Sequence, residues 1–320
     1  MKIHSLRISL AAMGMALAVS AGAQDQPVRI LVGFSPGGTS DVIARLVSER
    51  LRSSLGSPVI VENKPGADGI LAAEALKNAT PDGRTLMISP ITVTVFAPLT
   101  HTKLRYDPVK DFLPVSLAAN FQLVLAVGAS SPARTLRDYV AWVRADPTKA
   151  IYGTPTIGGP PHFFGLMLAR ATGVDLSYVP YKGGAPLVTD LIGSQVPAAI
   201  TVLSEVIKHH EAGKARILGS SGAQRSPATP DVPTFKELGL AEMEGMGWQA
   251  FHTTARTPRP TVDLLSVKIA AAIKAPEVSE RLLVMGLEPV GSTPDELARR
   301  VAADTAKWAP VVKASGFRAD

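Results

Sequence analysis

Short apolar runs alternate with longer amphipathic stretches along this 320-residue chain, and that alternation constrains the fold more than any other feature. Residues 28–33, 59–62 and 85–89 are short and rich in aliphatic side chains, as buried strands are. Between them, residues 42–51 and 70–78 repeat their apolar positions at the helical period. In the first of these stretches Val42, Ile43, Leu46, Val47 and Leu51 fall on one face, which predicts a helix packed on a sheet. Strands that alternate with helices build a parallel sheet with crossover helices, so the chain is expected to be α/β. The pattern breaks over residues 99–114, an irregular stretch with Pro108 and Pro114, read here as a first crossing between two lobes. A second series follows, with helices over 136–144, 162–171 and 185–192 and strands over 150–153, 176–180 and 198–201. Residues 215–219 read as a strand that passes back, and 220–233, rich in Ser, Pro, Gly and Ala, as a connector. A strand over 248–253 and helices over 262–273 and 294–308 complete the chain. The expected domains are residues 24–118 plus 222–320 for lobe 1 and 119–221 for lobe 2. Each has a mainly parallel sheet flanked by helices, and a double-crossing hinge permits closure around a ligand. Nothing repeats at a fixed period, which argues against a solenoid.

The first 23 residues are set apart as a signal peptide. Lys2 and Arg7 precede an apolar run over 8–19 that ends in Ser20-Ala21-Gly22-Ala23, the pattern of a cleaved export signal. The run is shorter than the roughly 20 residues that cross a bilayer. Cleavage after Ala23 would release a soluble chain into the periplasm and, by removing Lys2 and Arg7, lower its formal charge from +6 to +4. With no cysteine there is neither a lipid-anchor site nor a disulfide nor a thiolate metal site, and no cofactor is expected. Basic residues are scattered among acidic ones and aromatics make up only 5%, which excludes a nucleic-acid groove.

Chemistry concentrates at Gly33-Phe34-Ser35-Pro36-Gly37-Gly38-Thr39-Ser40-Asp41, between the first strand and its helix. Gly33-x-Ser35-x-Gly37 has the letters of a serine-hydrolase elbow, but the residue after the serine must lend a backbone N–H, and Pro36 has none. The spacing from Gly33 to Gly38 suits a phosphate loop, yet Thr39 stands where the phosphate-bridging lysine belongs. Two readings stay level: a plain tight turn capped by Ser40 or Asp41, or a helix start whose unpaired amides accept an anion such as a carboxylate. Asp41 is read as a cap. Two further Gly-rich stretches, residues 153–162 and 180–186, also link a strand to a helix. Three such loops at the carboxyl ends of parallel strands favour one shared cleft.

Several ordered motifs carry a family resemblance: Phe34-Ser35-Pro36-Gly37-Gly38-x-x-Asp41, Val61-Glu62-Asn63-Lys64-Pro65-Gly66-Ala67, Pro81-Asp82-Gly83, Tyr106-Asp107-Pro108-x-x-Asp111-Phe112, Val179-Pro180-Tyr181-Lys182-Gly183 and Asp231-Val232-Pro233-Thr234. Together the chain resembles the Bug-type solute receptors of tripartite tricarboxylate transporters. The resemblance implies a type II periplasmic-binding-protein fold that captures a small organic anion, a mono- or dicarboxylate, amino acid or aromatic acid. It also implies delivery to integral-membrane transporter subunits by a receptor acting as a monomer. Carried over by position, it places the ligand on Phe34, Gly37, Gly38 and Thr39 in the first loop and on Thr154, Gly158 and His162 in the second. Ser89, Thr92 and Thr201, at strand ends, are further wall candidates. Thr154-Pro155-Thr156-Ile157 departs from the Ser-Gly type common in the family, removing one N–H, and Phe163-Phe164 add bulk.

The other polar candidates read as ordinary surface or packing. His209-His210 point about 100° apart on a helix and suit a solvated end better than a metal. Lys182 could pair with a carboxylate, though a surface lysine after a strand is commoner. Trp142, Trp248 and Trp308 adjoin no Gly-rich loop and suit packing. No catalytic pair or metal cluster is evident, so a non-enzymatic receptor is expected, with a Ser35 hydrolase or a sensory subunit for a membrane signalling partner as alternatives.

Overall fold

The computed structural model describes residues 26–319; the signal sequence and the cut after Ala23 lie outside the described residues. Strands β1 (Val28–Val32), β2 (Val59–Asn63) and β3 (Thr85–Pro90) are parallel, in the order β2-β1-β3. Helices α1 (Thr39–Leu55) and α2 (Ile70–Lys77) make the crossovers. In β1 only Arg29 is exposed, as expected of a strand covered on both faces. Helix α1 ends at Gly56, whose left-handed backbone (φ 66°) closes the last turn at no steric cost.

The next strand decides the architecture. β4 (Phe112–Gly128) is 17 residues long and belongs to both halves of the sheet. The following elements are α3 (Leu136–Ala145), β5 (Ile151–Thr154), α4 (Pro160–Thr172), β6 (Ser177–Pro180), α5 (Gly184–Ile192), β7 (Ala198–Val202), α6 (Leu203–Glu211) and β8 (Ala215–Ser220). The chain then returns through β9 (Met246–Thr254), α7 (Arg259–Lys274), α8 (Pro276–Val284), β10 (Leu287–Pro289) and α9 (Pro294–Ser315). From Phe112 to Gln122, β4 pairs with β9; from Leu123 onward it pairs with β7 and β8. The first crossing therefore lies inside a strand, correcting the expectation that residues 99–114 carry it. Both prolines of that stretch serve local geometry instead. Pro108 opens a helical turn that Asp107 caps, and Pro114, lacking an N–H, sits where the β4–β9 register shifts. A π-helical turn, Thr92–Phe96, follows β3, where the sequence pattern gives no helix.

Ser221 fastens the return crossing to β4. Its hydroxyl donates to the Gly245 carbonyl at 2.6 Å and accepts the Leu123 amide at 2.9 Å, while its own amide donates to the Leu123 carbonyl. The side chain is fully buried, so no water replaces these partners. Ser221→Ala is expected to cost about 1–3 kcal/mol by orphaning two backbone groups, read as a lower urea midpoint at unchanged slope.

The carboxyl-terminal helix bridges the lobes. A capping box of Thr293 and Glu296 starts α9, and Trp308 near its end packs on Phe96 of lobe 1 and Phe164 of lobe 2. Beyond α9, Phe317 lies against His162 while the Ala319 amide donates to the Thr100 carbonyl. Trp248 donates to Asp304 of α9 at 2.7 Å. Trp248 and Trp308 are thus packing residues, and Trp142 meets Tyr139 edge-on.

Candidate functional site

The Gly-rich turn after β1 is held by its own acid. Gly37 takes φ +83°, a conformation cheap only for glycine, and its amide donates to Asp41 Oδ2 at 2.9 Å. Arg45 grips the same carboxylate with two hydrogen bonds and Asn63 adds a third side-chain donor. Burial opposes ionisation of Asp41, but Arg45, the Gly37 amide and Asn63 together outweigh it and hold the pKa below the usual carboxylate range. Asp41 is therefore a brace for the loop. Once it is so held, the residues that open α1 line a cavity between the lobes: Phe34, Gly38, Thr39 and Ser40 on the lobe 1 side, with Thr92 beside them. The first intrahelical bond of α1 runs from Val42 to the Gly38 carbonyl, so the amides of Thr39, Ser40 and Asp41 precede the helical ladder.

Lobe 2 answers with different chemistry. Its wall carries Pro155, Thr156, Pro160, Pro161, Lys182 and Glu205. Helix α4 begins at Pro160-Pro161, neither of which has an N–H, so its tip has lost two of the amides an anion would use. At the third loop the place of an anion is taken by the protein itself. The Glu205 carboxyl packs so closely on Gly184, the first residue of α5, that a Cβ there would lie 2.0 Å from it. Thr201 donates to this carboxyl and the Val202 amide adds a second bond, but burial dominates and pushes the pKa up. The three loops do meet at one cavity, and α1 brings the amides that precede its helical ladder to it.

A second, larger cavity of about 470 Å³ adjoins the first and shares Phe34, Ser35, Pro155, Lys182 and Gly183 with it. Asp68 lines this part. The lobes touch on either side of these cavities: Thr39 Oγ1 lies 2.8 Å from Ser204 Oγ in the cleft that Gly37 borders, and the Ile157 amide of lobe 2 donates to the Asp68 carboxyl of lobe 1 in the larger cavity.

Of the residues singled out in the sequence, Phe34, Gly38, Thr39 and Thr92 line the central cavity. Gly37 borders a separate cleft, its amide already given to Asp41. Ser89 aside, the rest are committed elsewhere. The Thr154 hydroxyl donates to the Thr156 carbonyl, the Thr201 hydroxyl to Glu205, and the Gly158 amide to His162 Nδ1. His162 is buried among Tyr178, Phe163 and Phe317, which pushes its pKa down to about 4. Ser89 is buried on β3 with its hydroxyl unpartnered. His162 is withdrawn from the cleft because Phe317, far away in sequence, covers it. Asp68, Thr156, Glu205 and Gln249 went unrecognised as wall residues, and Lys182, read as a surface lysine, lines both cavities. Thr156 and Lys182 stand in loops whose glycines had already marked them; Glu205 and Gln249, in a helix and a strand, carry no local signal. His210 lies 3.4 Å from Asp231, and among the described residues no three potential metal ligands converge.

Two lobes sharing one long strand, with a cleft at the helix starts, define a periplasmic-binding-protein type of solute receptor. Residues 43–317 match the family described as tripartite tricarboxylate transporter family receptor, and the chain belongs to that family. It is 32% identical to Protein BugT of Bordetella pertussis, over 97% of this chain and 96% of that one. The R. palustris protein Rpa4515, solved with adipate, superimposes with a TM-score of 0.88 at 31% identity, covering 92% of this chain and 99% of that one. MatC from Rhodopseudomonas palustris, solved with bound malate, gives 0.83 at 30% identity, covering 89% and 98%. No helix among the described residues is long and apolar enough to cross a membrane.

Proposed function

We propose that this chain, cut after Ala23 and free in the periplasm, captures a small organic carboxylate between its lobes and delivers it to the integral-membrane subunits of a tripartite tricarboxylate-type transporter. The observation that carries this reading is the start of α1: Gly38, Thr39 and Ser40, whose amides stand at the positive end of a helix dipole, line the inter-lobe cavity opposite Lys182. The adipate and malate seen in two relatives of this family support a carboxylate as the occupant. The lobes are taken as 24–118 with 222–320 and 119–221, hinged where β4 changes partners and where Ser221 joins it.

A receptor needs no turnover, and no histidine lines the two cavities that Ser35 borders, so the Ser35 hydrolase alternative has no imidazole base there. His162, the histidine closest in sequence to the lobe 2 wall, spends Nδ1 on Gly158 and buries its other face against aromatic rings. A thermal-shift titration with adipate, malate and related acids tests the proposal. A ligand at 100 times its dissociation constant stabilises by about 2.7 kcal/mol. Thr39→Asp, which sets a negative charge at the tip of α1, is expected to abolish that shift while leaving the unliganded protein folded. Equal shifts in both proteins would refute an anion site at this helix.

A further inference from the structure

The cleft is not the uniformly electropositive surface that a receptor for simple dianions would present. Its two adjoining cavities hold one lysine, Lys182, which both share, and an acid in each, Glu205 in the smaller and Asp68 in the larger. Glu205 is occupied by Thr201, Val202 and the start of α5. Asp68 is differently placed. It lies between Gly66 and Gly69 on a backbone that is left-handed at two consecutive non-glycine residues, Ala67 (φ 46°) and Asp68 (φ 52°). Side chains seldom adopt that conformation, and sites that keep it concentrate where geometry serves a ligand. The turn holds the carboxyl at the lobe boundary, where the Ile157 amide of the other lobe donates to it. A carboxylate has room for about four hydrogen bonds, so this bond leaves acceptor capacity open toward the cavity.

We propose that Asp68 is a specificity-determining residue that receives an ammonium group of the ligand, so that the preferred class is an amino-carboxylate whose carboxylate lies at the start of α1 and beside Lys182. The inference rests on the carboxylate-capture reading and refines it. Burial pushes Asp68 up to about 6 against the opposing influence of the Ile157 amide and His101, so at neutral pH the group is ionised but poorly solvated. A bound ammonium relieves that desolvation. A second carboxylate placed there would meet like charge and lose affinity.

Matched pairs that differ only in an amino group decide the matter: aspartate and succinate, glutamate and glutarate, 2-aminoadipate and adipate, titrated calorimetrically into the wild-type chain and Asp68→Asn at pH 7.5. Asparagine is among the residues that best tolerate left-handed backbone, so the substitution removes charge without disturbing the turn, and an unchanged melting temperature of the free variant verifies this. In the wild type the amino member of at least one pair is expected to bind about tenfold or more tightly than its plain partner. In Asp68→Asn that ratio falls toward unity or reverses. A wild-type preference for the plain diacid, or equal weakening of both members by Asp68→Asn, overturns the role of Asp68 and leaves carboxylate capture standing. Failure of every member to bind either protein overturns carboxylate capture, and the inference falls with it.

Discussion

Gly159→Ala is expected to weaken ligand binding about tenfold or more while leaving the free protein close to its normal stability. Gly159 precedes α4 with φ −108°, a conformation alanine adopts readily, so the backbone has no objection. The obstacle is lateral. A Cβ at this position would lie 2.5 Å from Thr156 Oγ1 and 2.9 Å from Thr92 Oγ1, and those two threonines belong to opposite lobes of the cleft. The methyl acts as a wedge at the line where the lobes meet. Overpacking of this kind costs about 1–3 kcal/mol, and each 1.4 kcal/mol is about tenfold in affinity. Opening the lobes relieves the contact with Thr92, and the Thr156 hydroxyl, in the same lobe as Gly159 and without a hydrogen-bond partner, can turn aside once Thr92 has moved away, so the cost falls on the closed, liganded form. Calorimetric titration of the ligand found in the thermal-shift screen, together with the melting temperature of the free variant, separates the two states. Unchanged affinity would show that the lobes need not meet at Thr92 and Thr156 for capture.

Acid should destabilise the chain between about pH 6.5 and pH 4, earlier than carboxylate titration alone would begin to. His252, on β9, is buried beside Phe112 with Nδ1 unpartnered, and His162 is buried with Nε2 unpartnered. Burial pushes both down to about 4. The unfolded chain binds protons at these sites near pH 6.5 and the folded chain does not, so stability falls as pH drops through that window, by on the order of 3 kcal/mol per histidine. Asp68, raised to about 6, and Glu205, raised by its burial, contribute in the opposite sense, since the folded form takes their protons first, so the net fall is smaller than the two histidines alone would give. Asp41, held low by Arg45, Gly37 and Asn63 against its burial, loses its contribution only further into acid. Urea midpoints at pH 7.5 and 4.5 give the difference, and His252→Gln should flatten the profile. A midpoint that does not drop between these pH values would mean that water reaches both rings.

The two Gly-rich loops that mattered most were visible in the sequence because conformational demand leaves a local trace. Gly37 must be glycine to take φ +83°, and Pro160-Pro161 suit the first turn of α4. What those loops do was less visible. The same prolines that announce the helix take away the amides an anion would use, and the third loop, equally glycine-rich, is filled by Glu205 from the following helix. Thr154, Gly158 and Thr201 have the right chemistry and the right position after a strand, but their polar atoms are spent on neighbours.

By itself the amino-acid sequence determined the alternation of strand and helix, the two-lobed α/β plan and the placing of loops at strand ends, because backbone propensity and hydrophobic period act over a few residues. Tertiary structure alone decided that β4 runs unbroken through both lobes, that Phe317 closes over His162, and that Asp68, Lys182 and Glu205 share a cleft. Each of these joins residues tens to more than a hundred positions apart, and only the folded packing of the whole chain selects which distant partner a side chain meets.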